Sequence, residues 1–335
     1  MKKIMIAFVF LFSFSSIGYG SWKFCISDLT LNHPYHRAWA DAAPRIAKHF
    51  GAEMLFLNAE MDVNKQISDV QAMIQQRCDV IALVQLDNAA LTPITKKALK
   101  KGIKVFATVS PIGIDGVGSL TLAGDEVFDK IADVVAHSIG KEGNVLFLAE
   151  EVTSVEGKAR KDGFVNGMKR YPNINLLRWD NAEGDTVKGT NILESWLNKY
   201  DNIDAIGFAS NGFALPGMQL LKNRKLSDIV INGYDGSEAA LKAIESGEML
   251  VDANISHAFW AWSITNYAYR LQKGYPVEAI EPYNIPLIMT RDTVENLQEK
   301  GLKVDFDWIT PETARDFDKQ APNSLGKEIT DKKFG

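Results

Sequence analysis

Apolar positions along the chain switch back and forth between two rhythms. Short, almost wholly apolar runs alternate with longer stretches in which apolar residues recur at helical spacing. The short runs predict strands at 23–29, 53–58, 79–84 and 103–109. Between them, Trp39, Ala43, Ile46, Ala47 and Phe50 follow Pro34 at helical spacing, and Gly51 stops the run. Asp62 is placed to cap a second helix with an inner face of Ile67, Val70, Met73 and Ile74, and 91–101 reads as a third helix.

The rhythm breaks at 111–124, which is rich in glycine and reads as a crossover, and then restarts. Helices are expected at 125–140, 155–171, 186–200, 213–224 and 237–246, with strands at 144–149, 174–179, 205–209, 229–232 and 249–255. A helix over 258–274 and the stretch 283–290 come after this second unit is complete, which suggests a return to the first. Strand–helix alternation of this kind implies parallel sheets covered on both faces. The expected fold class is therefore α/β, with two doubly wound parallel-sheet lobes joined by a three-strand hinge. Crossings are placed near 122–125, 255–257 and 286–291. The first lobe is expected to hold 21–123 plus 257–288, and the second 124–256 plus 289–310. The charged segment 311–335 reads as a tail, part of a surface wrap starting near 291.

The first twenty residues stand outside this pattern. Lys2 and Lys3 precede an apolar run from Ile4 to Ile17, and Gly18 and Gly20 flank Tyr19. That is the layout of a secretory signal peptide cleaved after Gly20, and it makes the working protein an exported one. In an oxidising compartment Cys25 and Cys78 are either a disulfide or two buried thiols. In a sheet of order 2-1-3-4-5 the first and third strands are neighbours, so a bridge is geometrically feasible. The formal net charge of -5 gives no concentrated basic face for nucleic acid.

Ligands of doubly wound sheets sit beyond the carboxyl ends of the strands. The loops there carry Asn32, His33, Tyr35 and His36, then Gln85 to Asn88 with Asp87, then Ser110. In the second unit they carry Glu150, Glu151, Asn211, Asp235 and His257. Amide, carboxylate, hydroxyl and imidazole groups beside aromatic rings suit a polyol, which needs paired donors and acceptors and flat faces for its C–H surfaces. Each Asn or Asp is equally a helix cap or turn former. His257 is either a pocket wall or a satisfied core histidine. Phe259, Trp260 and Trp262 read as core packing, with room for one ring to face a ligand. His33 and His36 lack a third ligand at fixed spacing, so no metal site is read there. The sequence contains no Walker A loop, GxGxxG, HExxH or GxSxG, so no cofactor is expected and no catalytic group is singled out.

Three segments carry a resemblance: Thr30-Leu31-Asn32-His33-Pro34-Tyr35, Ser210-Asn211-Gly212-Phe213-Ala214 and Gly233-Tyr234-Asp235-Gly236. In their order and spacing over 23–290, the chain resembles the periplasmic ribose/galactose-type (type I) sugar-binding proteins of bacterial ABC importers. The resemblance implies a non-enzymatic receptor that closes on a small sugar-like ligand, with a membrane permease as partner. It implies that Asp235 and Asn211 contact the ligand, with Tyr35 and His36 in the place of two stacking aromatics and His257 at a polar contact. Lys158 stands where the family has an arginine, and Val109-Ser110 where it often has Asp-Arg. The same fold serves ligand-sensing partners of sensor kinases, so a sensor-kinase ectodomain is the alternative partner.

Overall fold

The computed structural model describes residues 21–32, 34–283 and 285–316. The leader through Gly20, His33 and the chain beyond 316 lie outside the described residues. The first unit comprises β1 (Trp22–Asp28), α1 (Pro34–His49), β2 (Ala52–Asn58), α2 (Val63–Gln75), β3 (Val80–Val84), α3 (Asn88–Lys100), β4 (Lys104–Val109) and β5 (Gly118–Thr121). Its strands are parallel and ordered β2-β1-β3-β4-β5. Side chains alternate between the two faces although both are buried. Phe24, Ile26, Val80 and Ala82 enter one core, and Cys25, Ile81 and Leu83 enter the other. Asp62 caps α2 as expected, accepting from the N–H groups of Asn64 and Lys65.

Cys25 and Cys78 form a disulfide between the neighbouring strands β1 and β3, with Cα atoms 6.0 Å apart. The glycine-rich stretch is not wholly a crossover. Its last part is β5, which extends the sheet beside β4. Gly118 suits this edge because a β-carbon there would come within 2.1 Å of the Tyr267 hydroxyl.

The second unit comprises α4 (Gly124–Ser138), β6 (Glu142–Ala149), α5 (Val155–Met168), β7 (Asn173–Asn181), α6 (Thr186–Lys199), β8 (Ala205–Phe208), α7 (Asn211–Asn223), β9 (Val230–Ile231), α8 (Glu238–Glu245) and β10 (Asp252–Ala253). Strands β7-β6-β8-β9 form one parallel sheet, and the bridge Asn232–Val251 continues it toward β10. Helices α4 and α5 pack closely because α5 presents glycine to its neighbour. A β-carbon at Gly163 would meet the Asp125 carbonyl oxygen at 2.3 Å.

The chain then recrosses. Helix α9 (His257–Lys273) packs beside α1, with Tyr269 5.4 Å from Phe50 between ring centres. Strand β11 (Ile280–Pro282) pairs in parallel with β5 at the edge of the first sheet. Strand β12 (Leu287–Ile288) returns to the second unit, antiparallel to β10. Residues 287–288, expected in the first lobe, thus pair in the second, and the third crossing lies between β11 and β12. Two further elements correct the reading of 291 onward as a surface wrap. Helix α10 (Arg291–Glu299) buries Val294 and Leu297, and β13 (Trp308–Ile309) pairs with β12. The start of the tail, 311–316, is helical, with Arg315 bonded to Glu238 and Glu245. The architecture is two doubly wound α/β lobes joined by three crossings.

Candidate functional site

A cleft of about 690 Å³ lies between the lobes, a volume suited to a small ligand. The carboxyl ends of strands from both sheets build it. From the first lobe come Asp28 after β1, Tyr35 and His36 in the first turn of α1, Gln85 to Ala89 after β3, and Val109 and Ser110 at the end of β4. From the second come Glu150, Glu151, Thr153 to Gly157, Arg160, Glu183, Gly184 and Asp235. Leu122, Ile255 and Trp260, at or next to the crossings, complete the wall.

Local structure aims these groups. The Ser110 N–H donates to the Thr108 carbonyl at 2.9 Å, closing a tight turn centred on Val109 with φ 74. A β-branched residue in this conformation is strained by ~1–3 kcal/mol. Asp235, with φ 135, is a second non-glycine outlier in the cleft. Ser256 caps α9 by accepting from the Phe259 N–H at 3.2 Å, and Trp260 follows in that first turn. Of the three aromatic residues that open α9, Trp260 is the one that lines the cleft.

Arg160 is the electrostatic centre of the second-lobe wall. Its Nε donates to Glu156 and its Nη1 to Glu150, each at 3.0 Å, and Nη1 also reaches the Ala209 carbonyl at 3.2 Å. The guanidinium carbon stands 4.1 Å from the centre of the Tyr234 ring. Burial works against this charge, but Tyr234 and the carboxylates of Glu156, Glu150 and Asp235 outweigh it and hold the guanidinium above its usual range. Burial first, and then the charge of Glu150, push the Asp235 carboxyl well above the usual carboxylate range. In the first lobe, His36 Nδ1 lies 2.8 Å from Asp28 Oδ2 and donates to that buried carboxylate. Burial, and then Asp235, raise the Tyr35 phenol.

The expected site residues divide accordingly. Tyr35, His36, Asp87, Ser110 and Asp235 line the cleft, although Asp87 also caps α3 through the Ala90 N–H at 2.8 Å. Asn32 is exposed outside it, and His33 is not among the described residues. Asn211 is buried behind the wall, where its Nδ2 donates to Asp252 at 2.8 Å. His257 begins α9 but does not reach the cavity. Lys158 points away: its side chain is 65% exposed and pairs with Asp162 one turn on. Arg160, two residues later and 10% exposed, occupies the cleft in its place. The residues not anticipated are Arg160, Glu156 and Asp28. No group of three or more metal-capable side chains gathers among the described residues.

Comparison with known proteins agrees with this fold. The chain is 24% identical over 263 residues to the ribose import binding protein of Escherichia coli K12, covering 78% of this chain and 88% of that protein. It is 26% identical over 256 residues to the xylitol-binding protein of Mycolicibacterium smegmatis, covering 74% and 72%. Among solved structures, an ABC transporter periplasmic solute-binding protein from Actinobacillus succinogenes with bound D-allose shares the fold. Its TM-score is 0.74 at 20% identity, over 82% of this chain and all of that one. The sequence profile of the periplasmic binding protein domain matches residues 26–276, well over half of the 335 residues; the chain belongs to the periplasmic binding protein family.

Proposed function

We propose that this protein captures a small polar ligand, a sugar or sugar-like polyol, between its lobes and delivers it to the permease of an ABC importer. The observation that carries the reading is the interlobe cleft, where Tyr35 and Trp260 offer flat faces beside the hydrogen-bonding groups of Arg160, Glu150, Asp235, Gln85 and Ser110. That mixture matches a polyol, which presents hydroxyls at its edge and C–H surface on its faces. The names of the ribose- and xylitol-binding relatives support the ligand class. Of the expected contacts, we assign Tyr35, His36, Ser110 and Asp235 to the ligand, and add Arg160 and Trp260.

The lobes in this reading are 21–123 with 257–286, and 124–256 with 287–310. They close by hinge motion, driven by the ligand's preference for the closed form. The leader is removed after Gly20, and the protein acts in the periplasm by capture without turnover. A thermal-shift screen against pentoses, hexoses, inositols and linear polyols tests the reading, since a ligand that binds the native state raises the melting temperature. A hit confirmed by calorimetry is expected from this set. A protein that responds to none of them, and instead to amino acids or peptides, overturns it.

A further inference from the structure

The cleft holds more carboxylate than cation. Asp28, Glu150, Glu156 and Asp235 line it, against Arg160 and His36. His36 is engaged by Asp28. Arg160 is shared between Glu150 and Glu156. Asp235 forms no ion pair among the described residues. Its Oδ2 accepts from the Asn211 backbone N–H at 3.1 Å, and its Oδ1 takes no hydrogen bond among the described residues. Glu150 gives Oε2 to Arg160, and its Oε1 accepts nothing among them. Gln85 Oε1 is buried and unpartnered. At the rim, Asp87, Glu151 and Glu183 add charge of the same sign.

The free donors are fewer. Arg160 is nine-tenths buried, and its Nη2 donates to no protein acceptor among the described residues. Tyr35 and Trp260 supply the aromatic walls, and the face of an aromatic ring attracts a cation. The wall therefore offers one charged N–H group, Arg160 Nη2, for an oxygen, and two carboxyl oxygens, Asp235 Oδ1 and Glu150 Oε1, that take no donor among the described residues. An ammonium has three donors and no acceptor, and a focused negative field raises its local concentration.

We propose that the ligand is an amino sugar or amino polyol, its ammonium held by Asp235 and Glu150 and a neighbouring hydroxyl oxygen accepting from Arg160 Nη2. This deepens the reading of solute capture and rests on it. A bound ammonium opposes the burial and the charge of Glu150 that hold the Asp235 carboxyl up, and so draws that carboxyl into its charged form. A uronate or sugar phosphate meets those carboxylates as a like charge and is disfavoured.

Calorimetry on the purified protein with matched probes tests this: D-glucosamine against D-glucose, D-galactosamine against D-galactose, 1-amino-1-deoxyribitol against ribitol, and D-glucuronate. At least one amine is expected to bind tenfold or more tighter than its neutral partner, with no binding of glucuronate. Asp235→Asn and Glu150→Gln, each checked by its melting temperature, are expected to cut that preference below threefold. If Asp235→Asn does not fold, Glu150→Gln carries the comparison. A neutral partner that binds as tightly as its amine, or glucuronate binding, overturns the amine assignment and leaves solute capture standing. Absence of binding by every probe overturns the amine assignment, and solute capture then stands or falls on the wider thermal-shift screen.

Discussion

Asn211 donates its Nδ2–H to Asp252 Oδ2 at 2.8 Å while its backbone N–H reaches Asp235 Oδ2 at 3.1 Å. One asparagine thus ties a carboxylate that faces the cleft to one buried behind it. Its own Oδ1 accepts from the Tyr234 N–H at 3.2 Å, so its side chain is spent on the scaffold. Asn211→Ala removes the side-chain bonds to Asp252, Ser237 and the Tyr234 N–H and is expected to cost ~1–3 kcal/mol. Chemical denaturation reads this, and ligand affinity falls secondarily as Asp235 loosens. An unchanged midpoint would show that Asn211 is not a strut.

Asp252 accepts from Asn211, Ala253 and Gly236, yet burial outweighs these bonds and raises its carboxyl to about 7. The folded state therefore holds a proton that the unfolded chain releases near the ordinary carboxylate value. This stabilisation is complete below that value and is lost as pH rises toward 7, with a slope of at most ~1.4 kcal/mol per pH unit. Wild type is expected to gain stability relative to Asp252→Asn as pH falls from 8 to 5. Parallel stability curves for the two proteins would contradict the raised carboxyl.

Arg160→Lys replaces a guanidinium that bonds Glu156, Glu150 and the Ala209 carbonyl with a point charge that cannot reproduce the fork. Ligand affinity is expected to fall tenfold or more by calorimetry, and stability by ~2 kcal/mol. Lys158→Ala, on the exposed side of the same helix, should change stability by less than ~0.5 kcal/mol and leave affinity intact. The reverse ranking would restore Lys158 to the site.

The Cys25–Cys78 bridge closes a loop of sequence separation 53. The chain-entropy argument gives it ~4 kcal/mol. The Cys25→Ser, Cys78→Ser double variant is expected to melt lower than the oxidised protein. Reductant should lower the wild-type melting temperature and leave the variant unchanged.

Ala123 precedes α4 at the first crossing in the left-handed region, φ 49 and ψ 46. Glycine has no penalty there, whereas a β-carbon costs ~1–2 kcal/mol. Ala123→Gly is expected to raise the melting temperature, and Ala123→Val to lower it.

Much of the fold was legible because its strands are short and buried on both faces, and its helices carry one apolar stripe. The alternation of Phe24, Cys25 and Ile26 between two cores is the physical reason β1 reads as a covered strand, and the neighbouring of β1 and β3 is what made the Cys25–Cys78 bridge feasible. Weak elements were not legible. β5 is four residues beginning in glycine, and α10 buries only Val294 and Leu297 within a polar sequence. The interior face of α5 was also hidden. Its buried side is mostly glycine and charge (Glu156, Gly157, Arg160, Gly163, Gly167), and Phe164 and Met168, four and eight residues on from Arg160, were the one apolar signal that set it apart from Lys158. Asn211 was visible as a residue but not in its role, because a strut and a ligand contact use the same amide.

Trp260, which walls the cavity, meets Tyr283 of the third crossing edge-on at 5.5 Å between ring centres. The Tyr283 N–H in turn donates to the Thr121 carbonyl at 2.7 Å, beside the first crossing. A guest pressing on that indole therefore pushes on two connecting strands at once, and the bearing on which the halves swing is in direct touch with the molecule they enclose.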